Sequence, residues 1–271
     1  MITRKLHSTA AFALGQLARN RTRFRAKRET AGQAIRNNFY NEPSMRVAER
    51  YLRSFYRWDT YRRWRLHDTP EWFDHRADLF RFSEERRPYF LERGVYAREL
   101  LPREGRVLDL CCGDGFYPFH FYAETASHVD ACDWDESALE HARHWHAHPR
   151  ISYSRRDIIV DDFPDRDYDL VVWDGAIEHF ALDDINTVLE KVGAVLGSSG
   201  VLCGYTILND GPVMHPDHSH EFGSADELAE ALLAVFPAAA TLETEYQDRR
   251  NVYFRAASTE QALGGFRITK R

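Results

Sequence analysis

The chain has 271 residues, of which 44% are hydrophobic, and a formal net charge of −6 at pH 7. This length and composition are those of a globular protein with one principal domain and an extension. The longest candidate apolar run, residues 10–18, falls well short of the roughly 18 to 20 apolar residues that cross a bilayer. We therefore expect no membrane span.

The charge is divided unevenly along the chain. Residues 1–104 hold 23 Lys and Arg against 13 Asp and Glu, a net charge of +10, whereas residues 105–271 hold 13 against 29, a net charge of −16. A basic region attracts nucleic acid, an anionic lipid surface or an acidic substrate, or it packs beside an acidic partner. We favour packing.

The cysteines and the N-terminus bear on location. Eight basic residues precede the first acidic one, Glu29, but the apolar run among them is too short for a secretory signal. The four cysteines show no metal-binding spacing and are typical of reduced thiols in a cytoplasmic protein. They are Cys111, Cys112, Cys132 and Cys203.

The first hundred residues divide into two predicted parts. Residues 1–43 are expected to form a basic, partly disordered arm. Residues 44–104 are expected to form a helical region that covers the substrate (acceptor) site of the domain that begins at residue 105. In this region arginines alternate with aromatic residues, which favours an amphipathic helix over the sheet, with base stacking and phosphate contacts as the alternative. The run comprises Arg57, Trp58, Tyr61, Arg62, Arg63, Trp64 and Arg65.

Beyond residue 105 the pattern changes to short apolar runs alternating with helical stretches, which predicts βαβ units and a parallel sheet. A helix over 224–236 follows, and a short polar turn then joins two final strands, which must be antiparallel. We predict a Rossmann-like α/β fold in residues 105–257, with a seven-stranded, mostly parallel sheet whose last strand is antiparallel, and a C-terminal tail in 258–271. The predicted strands are 106–110, 128–132, 151–154, 168–173, 200–207, 239–246 and 251–257.

A glycine-containing turn follows the first predicted strand. In the segment from Val107 to Gly115, the strand leads directly into Gly113 and Gly115, and a helix is predicted to begin near Phe116. Glycines let the backbone approach a ligand closely, and a helix N-terminus presents free N–H groups to an anionic group. The turn therefore predicts a nucleotide-like ligand, with a purely structural turn as the alternative.

Acidic residues follow the second and third predicted strands. Asp133 lies 18 residues beyond Gly115, where a carboxylate can accept both ribose hydroxyls of a nucleoside, and Trp134 is assigned to the same site. Asp157 is placed to accept from an adenine amino group while Ile158 covers the ring. The alternatives are a solvated carboxylate at Asp133 and a surface ion pair at Asp157.

Together these motifs resemble the class I S-adenosylmethionine-dependent methyltransferases over about residues 105–257. Asp109-x-Cys111-x-Gly113-x-Gly115 is similar to the acidic-x-Gly-x-Gly-x-Gly loop of that family, and Cys111 replaces its first glycine. Asp133 matches the ribose-binding acid and Asp157-Ile158 the adenine-site pair. The resemblance implies S-adenosylmethionine as cofactor. A nicotinamide dinucleotide domain is the nearest competitor, but Pro118 stands where its third glycine is required.

The segment after the fourth predicted strand, Asp174 to Phe180, also looks like that of small-molecule members of the family. Asp174-Gly175-Ala176-Ile177 stands where enzymes acting on adenine or glutamine nitrogens have Asn/Asp-Pro-Pro-aromatic, so base methylation is disfavoured. His179 is a candidate catalytic base, because an imidazole titrates near neutral pH, with orientation of its loop as the alternative.

A histidine-rich loop follows the fifth strand, where this fold builds part of its acceptor pocket. His218 and His220 are assigned near the acceptor, with a structural role in the loop as the alternative. Asp174 and Asn209-Asp210 are similar to the magnesium-binding positions of catechol-type methyltransferases, yet we predict no metal site and assign Asp174 to the cofactor.

We therefore predict O- or N-methylation of a small-molecule acceptor. The alternatives are an RNA methyltransferase that uses the basic N-terminal region, and a nucleoside-binding protein without turnover.

Overall fold

The computed structural model describes residues 89–165, 167–209, 211–246 and 249–264, together with eight positions between 43 and 54. The chain divides into two compact units, Met1–Arg65 and Leu66–Arg271. The described positions of the first unit are α-helical. Three predictions lie outside the described residues. They concern the arm 1–43 (of which only residue 43 is described), the run of arginines and aromatic residues over 57–65, and Asp210. No helix in the described part has both the length and the apolar character to span a bilayer.

The second unit contains a seven-stranded sheet with the order β3-β2-β1-β4-β5-β7-β6. All neighbouring pairs are parallel except those made by β7, which runs antiparallel to both β5 and β6. The predicted fold class is therefore confirmed. The strands are β1 (Arg106–Leu110), β2 (His128–Asp133), β3 (Ile151–Arg155), β4 (Tyr168–Asp174), β5 (Leu196–Leu208), β6 (Ala238–Glu245) and β7 (Arg250–Ala257).

Four α-helices accompany the sheet in the described part of the second unit. Asp135 caps the second helix, because its side chain accepts from the backbone N–H of Ser137 at 2.8 Å. Ser224 caps the last helix by accepting from the N–H of Glu227. The helices are α1 (Tyr89–Leu100), α2 (Glu136–Trp145), α3 (Leu182–Val195) and α4 (Ala225–Leu233).

Two further helical turns lie between strands. The turn after β1 is π-helical over Pro118–Tyr122, and the N–H of Ala123 donates to the carbonyl of Pro118. A 3₁₀ turn, Ile177–His179, follows β4. The helix predicted to begin near Phe116 is thus short, and α4 ends three residues before the predicted Phe236.

The start of β5 differs most from the prediction, since Leu196 pairs with Tyr168 four residues before the predicted start at Gly200. The register between β4 and β5 shifts between Tyr168 and Leu170, which is the mark of a bulge. A side chain at Gly200 would meet the carbonyl oxygen of Tyr168 at 2.3 Å, so glycine allows this close pairing. Gly200, the predicted first residue of the strand, thus lies inside an irregular strand.

The core covers both faces of the sheet, as expected of parallel strands. One cluster joins β1, β4 and β5 to α3 and α4, with Trp173 and Leu189 fully buried. The other joins β1 and β2 to α1, α2 and the π-helical turn, with Val129 and Leu139 fully buried. The carboxyl ends of the parallel strands thereby meet at one edge of a rigid sheet, where ligands bind in open α/β folds.

Candidate active site

A cavity of about 420 Å³ opens at the carboxyl ends of β1, β2 and β4. Its size is within the range of pockets that hold a small molecule. The walls come from the turns after β1, β2, β3 and β4, from α1, and from the loop after β5. Eight of the nine residues that the sequence assigns to the cofactor line the cavity, and the ninth, Gly115, lies in the turn after β1 but not in the lining. The eight are Asp109, Cys111, Gly113, Asp133, Trp134, Asp157, Ile158 and Asp174.

The turn after β1 requires an unusual backbone. Cys111, Gly113 and Gly115 have φ values of +57°, +53° and +73°. A side chain at Gly115 would meet the Tyr153 hydroxyl oxygen at 2.5 Å. Only glycine adopts this conformation at low cost, so the two glycines are explained by geometry, whereas Cys111 holds a strained conformation.

Asp133 at the end of β2 is fixed against that turn. One carboxylate oxygen accepts from the N–H of Gly113 and the other from the N–H of Asp135, each at 2.9 Å. Burial raises the pKa of Asp133, although these backbone hydrogen bonds act in the opposite direction. Each carboxylate oxygen has a second lone pair, so a ligand hydroxyl can still bind here.

Asp109 is the buried acid of the site. Its side chain lines the cavity, and within the described part of the chain Oδ2 is buried without a hydrogen-bond partner. Burial raises its pKa well above the ordinary value, and the nearby carboxylates of Asp174 and Asp133 raise it further, while Arg93 opposes them. A buried carboxylate oxygen without a donor marks a position for a ligand donor or cation.

Arg93 of α1 enters the site from the side. Its Nε lies 3.4 Å from Oδ2 of Asp174 and donates to the Tyr117 hydroxyl, and the guanidinium lies over the Tyr117 ring at 4.3 Å. Burial lowers the pKa of Arg93, but Tyr117, Asp174 and Tyr205 together raise it above the ordinary value. Gly175 makes room, since a side chain there would meet Nη1 of Arg93 at 2.7 Å.

The turns after β2 and β3 form the opposite wall. Trp134 and Ile158 both line the cavity, with 62% of the surface of Trp134 and 3% of that of Ile158 exposed. The Asp157 carboxylate accepts from the N–H of Ile159 at 3.0 Å. Among the described residues it forms no ion pair with Arg155 or Arg156, whose guanidinium groups donate to the carbonyls of Trp134 and Asp162. The surface-pair alternative is thus not observed.

The predicted histidines occupy different positions. His179 lines the cavity, and its Nδ1 lies 2.9 Å from the carbonyl oxygen of Asp217. His218 lies behind it, with ring centroids 5.1 Å apart. His220 packs edge-on against Phe222, and its Nε2 lies 3.7 Å from Glu227, so it is not part of the cavity wall.

Several lining residues are absent from the sequence prediction, namely Arg93, Tyr117, Tyr122, Arg156, Phe180 and Asp217. Arg93, Tyr117 and Tyr122 come from α1 and the segment after β1, whereas the other three lie in or next to segments that the sequence analysis singled out. Arg93 is the most informative, since its only sequence signal is an arginine next to Gly94 in a predicted helix. A side chain at Gly94 would meet the Phe121 ring at 2.6 Å, so this glycine lets α1 pack closely against the π-helical turn.

The model of the family described as "Methyltransferase domain" matches residues 107–200, which include the strands from β1 to β4, the start of β5 and the turns after β1, β2, β3 and β4. This match covers the predicted cofactor motifs but neither α1 nor the histidine-rich loop after β5. Residues 107–200 therefore carry a methyltransferase domain. The predicted family is thereby confirmed.

Curated relatives of this methyltransferase domain include uncharacterized methyltransferases from Mycobacterium tuberculosis and Mycobacterium bovis. Both are 30% identical to it over 102 residues, which is 38% of this chain and 50% of the relative. The chain therefore spans about half the length of the curated relatives it matches.

Solved methyltransferase structures share the fold. The DhpI complex with S-adenosylhomocysteine superposes with a TM-score of 0.52 at 20% identity, covering 69% of this chain and 91% of that one. The N-methyltransferase NodS from Bradyrhizobium japonicum WM9, in complex with S-adenosyl-L-homocysteine, gives 0.53 at 16% identity, covering 65% and 89%. At such identities the likeness concerns the fold alone.

The cofactor of class I methyltransferases is S-adenosylmethionine, and the cavity fits it in three respects. The turn after β1 brings Gly113 into the cavity wall, and Asp109 offers a buried oxygen that has no donor among the described residues. Six aspartates line the cavity against two arginines. The predominance of negative charge suits a ligand that carries a sulfonium and an ammonium group.

Proposed function

We propose that this chain binds S-adenosylmethionine in the cavity and transfers its methyl group to oxygen or nitrogen of a small-molecule acceptor. The observation that carries the proposal is the buried oxygen of Asp109, which lies in an acidic cavity and has no hydrogen-bond partner among the residues that the structure describes. S-adenosylmethionine supplies an electrophilic methyl group on a positively charged sulfur.

Each wall of the cavity has a proposed task in cofactor binding. Asp133 accepts from the ribose hydroxyls, because the N–H of Gly113 and of Asp135 already hold its carboxylate in place. Asp109 accepts from the ammonium group. Arg93 lies beside Asp174 and pairs with the cofactor carboxylate, since an arginine fork matches a carboxylate.

The adenine is proposed to bind between Trp134 and Ile158, with the exocyclic amino group donating to Asp157. The exposed indole of Trp134 and the buried aliphatic chain of Ile158 both line the cavity. An aromatic face on one side and an aliphatic side chain on the other exclude water from a planar ring. Cys111 and Gly115 complete this wall by holding the turn after β1.

The acceptor is proposed to enter beside His179, Phe180 and Asp217, which line the cavity after β4 and β5. Methyl transfer is an in-line displacement, so the main tasks of these residues are to align the acceptor and to exclude water. A small molecule is favoured because Asp174-Gly175-Ala176-Ile177 lacks the sequence that positions adenine or glutamine nitrogens.

The test is transfer of a radiolabelled methyl group from S-adenosylmethionine to pools of small hydroxyl compounds, small amines and RNA. The expected result is label in a small-molecule pool and a strong loss of transfer in His179→Ala. Asp183→Asn, on the exposed first turn of α3, is the control and should retain transfer. Label in RNA alone would contradict the acceptor class, and cofactor binding without label in any pool would favour a nucleoside-binding protein.

A further inference from the structure

Three side chains with metal-binding atoms converge beside the cavity. One carboxylate oxygen of Glu178 and one ring nitrogen from each of His179 and His218 lie within 4.8 Å of one another. Glu178 and His179 belong to the 3₁₀ turn after β4, and His218 to the loop after β5. The cluster therefore forms only when the two loops fold together.

Hydrogen bonds hold these two loops in register. The N–H groups of Ser219 and His220 both donate to the carbonyl of Glu178, at 2.9 and 3.1 Å. His179 contacts the carbonyl of Asp217 through Nδ1, at 2.9 Å. The cluster is thus built on a fixed scaffold and does not depend on a chance contact between exposed side chains.

The hydrogen bonds of the two histidines leave the same nitrogen available on each ring. His179 Nδ1 faces a carbonyl oxygen, which can only accept, so this nitrogen carries the proton. His218 Nδ1 contacts the Glu221 carboxylate, which also accepts from the backbone N–H of His215. With Nδ1 engaged in this way, Nε2 is the atom of each ring that would ligate a metal, and such a carboxylate or carbonyl partner is typical of metal-binding histidines.

Glu178 is a buried carboxylate, with 5% of its surface exposed. The Thr206 hydroxyl donates to its Oε2 at 2.9 Å. In the described part of the chain, no lysine or arginine lies within ion-pair distance of it. A buried carboxylate is ordinarily paired with a cation or bound to a metal, so a positive charge is the element that this cluster lacks.

From these observations we propose that Glu178, His179 and His218 bind a divalent transition-metal ion. Two imidazoles and one carboxylate are the donor set of Zn²⁺, Fe²⁺ and Mn²⁺ sites with open coordination positions. Bonds to the metal of about 2.0 to 2.2 Å require the three atoms to move closer together. His179 is exposed and can rotate to achieve this, whereas Glu178 and His218 are held by their partners.

The metal would lie at the acceptor end of the cavity, because His179 forms part of the wall there. This step rests on the proposed function. An acceptor hydroxyl that occupies an open position loses its proton to solvent more readily, as metal-bound water does. Its oxygen then bonds to the methyl carbon, the carbon–sulfur bond breaks, and sulfur keeps the electron pair as a neutral thioether. The geometry therefore favours an oxygen acceptor.

The test measures metal binding directly, without an acceptor. The full chain is treated with a chelator and titrated with Mn²⁺ and with Zn²⁺ by calorimetry, and Co²⁺ is added as a spectroscopic probe of the coordination. We expect one ion per chain, with affinity lowered at least about 100-fold in Glu178→Gln and in His218→Ala. Glu221→Gln should cost about 10-fold to 100-fold, because Glu221 only orients His218.

His220→Ala is the matched control, since this histidine lies in the same loop but outside the cluster, and its metal affinity should equal that of the unmodified chain. Binding of S-adenosylhomocysteine is measured on every variant to show that the fold is retained. Failure to bind any of the three ions would overturn the metal site. So would a metal affinity of His218→Ala and Glu178→Gln within threefold of that of the unmodified chain. Such a result with cofactor binding intact would leave the proposed function standing.

Discussion

Arg93 of α1 and Asp174 at the end of β4 form a buried ion pair, with 3.4 Å between Nε and Oδ2 and each side chain about 10% exposed. Removing one partner of a buried pair leaves the other charge without compensation. We expect Arg93→Met to lower the free energy of unfolding by about 3 to 5 kcal/mol, measured by urea denaturation.

The double variant Arg93→Met/Asp174→Asn is the control for this pair. Because it removes both charges, it should recover a large part of the stability lost in the single variant. A single variant within about 0.5 kcal/mol of the unmodified chain would show that the pair is not a determinant of stability, since surface substitutions have effects of this size.

The ionised carboxylate of Asp109 is predicted to lower the free energy of unfolding while it strengthens cofactor binding. Its pKa in the folded chain is raised, so between the ordinary value and the raised value the folded state holds a proton that the unfolded state has lost. Stability must therefore fall as pH rises through this window. We expect Asp109→Asn to be equal in stability to the unmodified chain in strong acid and more stable at neutral pH, measured by urea denaturation at both pH values.

The same substitution should weaken binding of S-adenosylhomocysteine about 10-fold to 100-fold, because it removes a hydrogen bond between charged groups worth about 1.5 to 3 kcal/mol. In the unmodified chain, binding should strengthen as pH rises until Asp109 is ionised. Unchanged affinity in Asp109→Asn would place the cofactor ammonium group elsewhere.

Cys111 has a φ of +57°, a conformation that ordinarily belongs to glycine. Cys111→Gly should relieve this strain, and we expect stability within about 1 kcal/mol of the unmodified chain and cofactor binding retained. Cys111→Val, which is β-branched, should lose about 1 to 3 kcal/mol and weaken binding. Thermal unfolding and calorimetry measure both effects, and a stable, binding-competent Cys111→Val would argue against the strain.

The negative cavity predicts that salt discriminates between substrate and product. S-adenosylmethionine carries one positive charge more than S-adenosylhomocysteine, and six lining aspartates attract it. Raising the ionic strength from about 0.01 to 0.1 M shortens the screening length from about 30 to 10 Å. We expect the affinity for S-adenosylmethionine to fall more than that for S-adenosylhomocysteine, and parallel falls would show that the aspartates do not recognise the sulfonium.

The order of the elements was predictable from sequence because each strand of this sheet is a short apolar run followed by a turn. Asp133 and Asp157 were predictable for the same reason, since the residue after a parallel strand must lie at the ligand edge. The start of β5 was predicted four residues too late, because residues 196–199 (Leu-Gly-Ser-Ser) form no apolar run and pair with β4 only through an irregular register.

The acceptor end could be predicted only in part. His179, His218 and His220 are similar in sequence terms, since all three lie in loops after strands. In the structure, His179 lines the cavity whereas His220 packs against Phe222. This difference depends on hydrogen bonds between two loops that are distant in sequence. Arg93 was missed because a buried arginine in a helix carries no local signal; its role comes from the position of Asp174.

The most direct test of the account is calorimetric titration of the purified chain with S-adenosylhomocysteine, with the Asp133→Ala variant and with a nicotinamide dinucleotide as control ligand. The account predicts binding of S-adenosylhomocysteine that is lost in the variant, and no binding of the dinucleotide. Absence of binding by the unmodified chain, or binding of the dinucleotide in its place, would contradict the central claim.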